Sequence, residues 1–171
     1  MLNEVDKMKP FQEKKRKEIN PFNEIISMLN ANHVEYQTIE HEPVYTSAQA
    51  ESITGLALSQ GAKALLLKTD ADFVLVVLPG DRHIDFGKLK QALLAKKVRF
   101  AGEKEVKEIM HCGLGACYPI GSFLNLRTLA DPSLIEHETI AFNPGVNDKS
   151  IILKSKDYVK VASPEIARIS K

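Results

Sequence analysis

At 171 residues, 44% hydrophobic and 26% charged, the chain has an ordinary globular composition and length enough for one core with some to spare. Its net charge of +1 excludes the global positive field of a strongly basic nucleic-acid binder, so any polyanion has to be met by a local patch. No apolar run reaches the roughly 20 residues a membrane span needs, and two cysteines, Cys112 and Cys117, are too few for a disulfide framework.

Residues 1–20 carry no sustained apolar stripe and are expected to form a flexible extension, with residues 21–171 as the folded domain. The opening MLNEVDKMKPFQEKKRKEI lacks the apolar centre of a secretory signal, which makes the cytoplasm the expected location. Asn20-Pro21 is a helix start, and Phe22, Ile25, Ile26 and Leu29 at helical spacing predict a helix to about Asn32. Val34–Ile39 alternates like a short strand. Thr46 and Gln49 are spaced as a capping box for a short helix ending at Gly55. The apolar runs Ala64–Leu67 and Phe73–Leu78, separated by Thr69-Asp70-Ala71-Asp72, predict paired buried strands. Asp85 is placed to cap a helix presenting Phe86, Leu89, Leu93 and Leu94. A strand follows at Lys97–Ala101, and a short helix around Val106, Ile109 and Met110. After the glycine-containing loop CGLGACYP, strands are expected near Phe123–Leu126, Thr139–Phe142 and Ser150–Leu153, with a last helix from Ser155. Short helices interspersed with strands predict one mixed α/β (α+β) domain and not a regular βαβ array.

Three residue groups bear on chemistry. Lys63 interrupts an apolar run; alone it reads as a strand lysine reaching solvent. His111, Cys112 and Cys117 lack a fourth partner at structural-zinc spacing, so neither metal nor cofactor is expected. Cys117 is a nucleophile without an identifiable base and serves better as a small apolar pocket wall. There is no GxSxG elbow and no evident Ser-His-Asp set. His41 and His83 are read as structural or surface residues.

In chain order, HEPVYTSAQAE at 41–51, GAKALLLKTDADFVLVVLPGDRHIDFGKL at 61–89, GACYPIG at 115–121 and FNPGVNDKSIIL at 142–153 resemble the YbaK-type aminoacyl-tRNA editing domains, including those associated with prolyl-tRNA synthetase. The resemblance spans about residues 21–162. It implies a central, mixed, largely antiparallel, barrel-like sheet surrounded by short helices. It also implies a free-standing deacylase that hydrolyses the ester of mischarged tRNA, Ala- or Cys-tRNA(Pro) first.

On this likeness Lys63 would anchor the terminal phosphate or a ribose oxygen. The Gly115–Pro119 loop would stabilise the oxyanion and position water through its backbone N–H groups. Thr46, Ala116, Cys117, Tyr118, Asn143 and Asp148 would line the amino-acid site, with Ser150 an alternative to Asn143 or Asp148. Some members of the family carry a functional histidine near this last segment; here no histidine follows His137. The implied partners are the acceptor end of tRNA and a synthetase. A non-catalytic module holding tRNA or a synthetase is the alternative reading, and a hydrolase of free aminoacyl esters a third.

Overall fold

The computed structural model describes residues 18–171; the expected extension falls almost wholly on residues outside these. Helix α1 (Pro21–Ala31) begins where the sequence places it, because the Asn20 side chain accepts from the Asn23 N–H and Pro21 occupies the first turn. It buries Ile25 and Leu29 in the core. Strand β1 (Tyr36–Glu40) starts two residues later than the alternation predicts, since Asn32 and His33 first turn the chain out of the helix.

Helix α2 (Ser47–Thr54) has the expected reciprocal Thr46/Gln49 cap and stops at Gly55 in the left-handed conformation, φ 71°. Strands β2 (Ala62–Thr69) and β3 (Phe73–Pro79) form the predicted antiparallel hairpin. Next come α3 (Phe86–Leu93), capped by Asp85, then β4 (Val98–Phe100) and α4 (Glu103–Met110). Leu94 does not share the buried face of α3. It is the left-handed residue that ends the helix and is 93% exposed.

The strand expected at Phe123–Leu126 is instead a 3-10 turn at Ser122–Leu124. The pairing segment is β5 (Thr128–Ala130), followed by a helical turn, α5 (Pro132–Ile135). Phe123, Leu124 and Leu126 owe their apolar character to packing against the core from this turn, not to strand alternation. Strands β6 (Thr139–Phe142) and β7 (Lys149–Lys154), helix α6 (Ser155–Ala162) and the short β8 (Glu165–Ile166) complete the chain.

The strands make two sheets, β1-β7-β6 and β4-β2-β3-β5-β8. Pairing is antiparallel within the first sheet and at β2–β3 and β2–β4, and parallel at β3–β5 and β5–β8. The class is mixed α/β, as expected, but the barrel-like closure is not: the two sheets touch through an isolated bridge between Gly61 and Ala141. Alternation along β2 explains the core. Ala62, Ala64 and Leu66 face the larger apolar cluster with Ile140 and Phe142, whereas Leu67 joins a second cluster against α3 with Val76, Leu78 and Leu89. The start of β2 and the end of β6 thus meet at the seam between the sheets, and a cleft opens there.

Candidate functional site

The cleft has a volume of about 380 Å³. One wall is the start of β2, with Ala62, Ala64 and Leu66 contributing short apolar side chains. Helix α2 supplies Ala50, Glu51 and Thr54, and the end of β6 and the turn beyond it supply Ala141, Phe142 and Asn143. Phe100, Ala101 and Val106 come from β4 and α4. Arg99 fixes this corner by gripping Glu105 at 2.8 and 2.9 Å, while Glu105 also accepts from the Gly102 N–H. The Arg99 hydrogen bonds, then the Gly102 N–H, hold the Glu105 carboxyl at about 2.

Of the residues singled out in the sequence, Thr46, Lys63, Gly115, Cys117, Asn143 and Ser150 come together on this cleft. Lys63 lies one residue into β2, and its ammonium donates to the Arg82 carbonyl beyond β3. Burial pushes its pKa below the ordinary lysine value, partly opposed by the Asp81 carboxylate. The Gly115 carbonyl accepts from Asn143 Nδ2 at 3.4 Å, tying the glycine loop to the turn after β6. Among the described residues, no hydrogen bond engages the Gly115 or Cys117 amide N–H. Cys117 is half-buried beside Cys112. The Cys112 thiol lowers the pKa of Cys117, against the opposing effect of burial, and that of Cys112 rises in consequence.

Ala116, Tyr118, Pro119 and Asp148 are not on the cleft wall. Ala116 is buried, with its N–H bonded to the Gly113 carbonyl at 3.1 Å. Tyr118 is fully buried, donates to the Met110 carbonyl at 2.6 Å and stacks on Phe123. The buried Pro119 offers its carbonyl to the Tyr158 hydroxyl at 2.7 Å. These three support the loop from beneath, tied to the core by their burial and by the Tyr118 and Pro119 hydrogen bonds. Asp148 is exposed, beside Lys149 at 3.6 Å.

Sequence reasoning missed Tyr45, Phe100 and Leu114. All three line the cleft while 68%, 53% and 51% exposed, an apolar lining that neither helical nor strand periodicity reveals. It also set His41 aside, yet His41 Nε2 lies 2.8 Å from Ser150 Oγ. Among the described residues, no group of three His, Cys, Asp or Glu side chains could hold a metal ion, and no helix is long and apolar enough to cross a membrane.

The arrangement brings Lys63, Gly115 and Cys117 onto one cleft with an apolar wall and a polar corner at Asn143 and Ser150. Such a site can bind an anion and polarise a carbonyl next to a small side chain.

Residues 41–161 match the family described as the aminoacyl-tRNA editing domain. The multifunctional Ser/Thr-tRNA deacylase ProXp-y of Escherichia coli K12 is 35% identical over 147 residues, which cover 83% of this chain and 88% of that protein. The prolyl-tRNA editing protein ProX of Acetoanaerobium sticklandii is 28% identical over 144 residues, covering 80% and 87% of the two chains. A crystal structure of a candidate trans-editing enzyme for prolyl-tRNA synthetase superposes with a TM-score of 0.79 over 90% of this chain and 98% of that one, at 18% identity, a likeness of fold.

Proposed function

The chain belongs to the aminoacyl-tRNA editing-domain family, and on that premise we propose that its cleft is the active site of a free-standing deacylase acting on mischarged tRNA. The observation that carries this reading is the convergence of Lys63, of Gly115 and Cys117, and of Asn143, from three separate segments, on one small, largely apolar cleft.

Ester hydrolysis needs an anchored substrate, an aligned water and donors where negative charge develops. Lys63 supplies the anchor. An ammonium has three protons, so it keeps its bond to the Arg82 carbonyl and still donates to the 3′-terminal phosphate or a ribose oxygen. Partial burial strengthens that contact, because less water competes for the charge. The Gly115 and Cys117 amides point the reading towards an oxyanion site. Pro119 and Tyr118, anchored below, stiffen the loop that carries those amides. No side-chain nucleophile is required, because an aminoacyl ester is already activated. Water attacks the ester carbonyl, and the ribose oxygen leaves with a proton.

The cleft fits a small aminoacyl group. The family likeness favours alanine or cysteine on proline tRNA, and the name of the 35% identical relative adds serine and threonine. Synthetase pockets separate such side chains by only about 1–3 kcal/mol, which is the need a second hydrolytic site meets. The test is a panel of tRNAs charged with alanine, cysteine, serine or threonine, followed for release of free amino acid. Rapid loss of at least one species supports editing and names the substrate. If all survive while the tRNA still binds, the protein is a binding module and the deacylase reading is wrong.

A further inference from the structure

Ser150 lies on β7 and is 2% exposed, yet it reaches the cleft. The register pairs Ile39 with Ser150, so His41, two residues further along, falls on the same face beside it. His41 Nδ1 is 2.7 Å from the Glu42 carbonyl oxygen, and Nε2 is 2.8 Å from Ser150 Oγ. A carbonyl only accepts, so in the neutral imidazole the proton sits on Nδ1 and Nε2 accepts the Ser150 O–H. The serine's single proton is thereby used within the protein. What Ser150 offers the cleft is a pair of acceptor lone pairs.

Asn143 makes the same kind of offer. Its Nδ2 donates to the Gly115 carbonyl, which leaves Oδ1 as an acceptor. The β6–β7 register, extended one step from Phe142 opposite Ile151, sets Asn143 opposite Ser150. Two acceptors therefore stand at one corner, on β7 and just past the end of β6, while Lys63, Gly115 and Cys117 line the cleft elsewhere. An aminoacyl ester has the complementary division. Its phosphate and carbonyl oxygens accept, and its α-ammonium group donates.

Building on the deacylase reading, we infer that Ser150, oriented by His41, and Asn143 form the seat for the α-ammonium group of the substrate. Ser150 and Asn143 touch that group, and His41 is a positioning residue acting through Ser150. The seat makes the site select aminoacyl esters over acyl esters of the same size. Thr46 is a weaker candidate for the role, because its hydroxyl oxygen already accepts from the Gln49 N–H as the cap of α2. Glu51 is the cleft's exposed carboxylate and the rival ammonium partner.

The test uses the full chain and two acceptor-stem RNA hairpins. One carries alanine through a 3′-amide in place of the ester, and the other carries the same alanine with its nitrogen acetylated. Alanine has no side-chain donor, so the pair isolates the α-amine. Binding of the free-amine hairpin should be about tenfold tighter than that of the acetylated one, the size expected for a hydrogen bond to a charged group. Ser150→Ala should remove that preference by weakening only the free-amine hairpin. His41→Ala should act likewise, while His41→Gln, which restores an acceptor near Nε2, should recover part of it. Thermal unfolding of each variant reports its folding. The inference is overturned if wild type binds both hairpins equally or neither, if Ser150→Ala weakens both alike, or if Glu51→Gln and not Ser150→Ala removes the preference. Deacylation is followed in parallel: intact discrimination without turnover would sink the deacylase reading and leave the seat standing.

Discussion

Gly115 and Gly121 belong to one loop but carry different steric demands. A Cβ on Gly121 would lie 2.6 Å from Thr128 Oγ1 and 2.8 Å from the Leu126 carbonyl oxygen, and that oxygen cannot retreat because the Leu126 N–H is itself bonded to Gly121. A Cβ on Gly115 would meet only the Tyr45 backbone at 3.8 Å, an ordinary contact. Gly121→Ala is therefore expected to lower stability by about 2 kcal/mol, whereas Gly115→Ala should leave the melting temperature almost unchanged while lowering any deacylase activity. Calorimetry beside the activity assay checks both; equal melting temperatures for the two variants would contradict the steric argument. A second residue sets part of the pH response. Burial alone would raise the pKa of Asp131, but hydrogen bonds from Ser133, Ile169 and Ser170 outweigh it and hold the carboxyl at about 2, below its usual 3.8. A depressed carboxyl contributes stability that is complete above the unfolded value and is lost as pH falls through the folded one. Asp131→Asn should cost about 2 kcal/mol at neutral pH, with the gap to wild type narrowing between about pH 4 and pH 2 in denaturant titrations.

At the scale of elements, the sequence is most readable where a cap or an unbroken apolar run marks the boundary. Asn20-Pro21, Thr46/Gln49 with Gly55, and Asp85 each mark a helix that the structure contains, and the β2–β3 hairpin follows from two apolar runs around a turn. The three-residue β5 escapes such reading. It is a strand only because β3 and β8 flank it, a tertiary cause with no local signature. The same holds for the site: Lys63 and Gly115 stand out as interruptions, but Phe100 and Leu114 line the cleft through the placement of β4 and the glycine loop. Helix α2 matters here because it forms a cleft wall while none of its residues from 48 to 54 is buried. Its order depends on its caps more than on packing. Thr46→Ala should lower amide-exchange protection within α2 by about 1 kcal/mol and leave β2 and β3 unchanged. Uniform loss of protection across the chain would show that α2 is instead coupled to the core.

For the molecule as a whole, 23 Lys/Arg against 22 Asp/Glu leave no net field to draw in a polyanion, so the proposed deacylase relies on local contacts with its substrate. On the proposed reading the burden falls on Lys63, which lines the cleft at the seam between the sheets. The likeness to editing domains was legible because the motifs on both sides of that seam keep their order along the chain. The geometry that joins them came only with the fold. The most direct test of the account is the deacylation rate of Lys63→Ala beside wild type, on whichever charged tRNA the panel identifies, with melting temperatures measured on the same samples. The account predicts a fall in kcat/KM of about 100-fold in a variant that remains folded, as expected for loss of a charged group at the reacting end of the substrate. A folded Lys63→Ala protein that deacylates at the wild-type rate would contradict it.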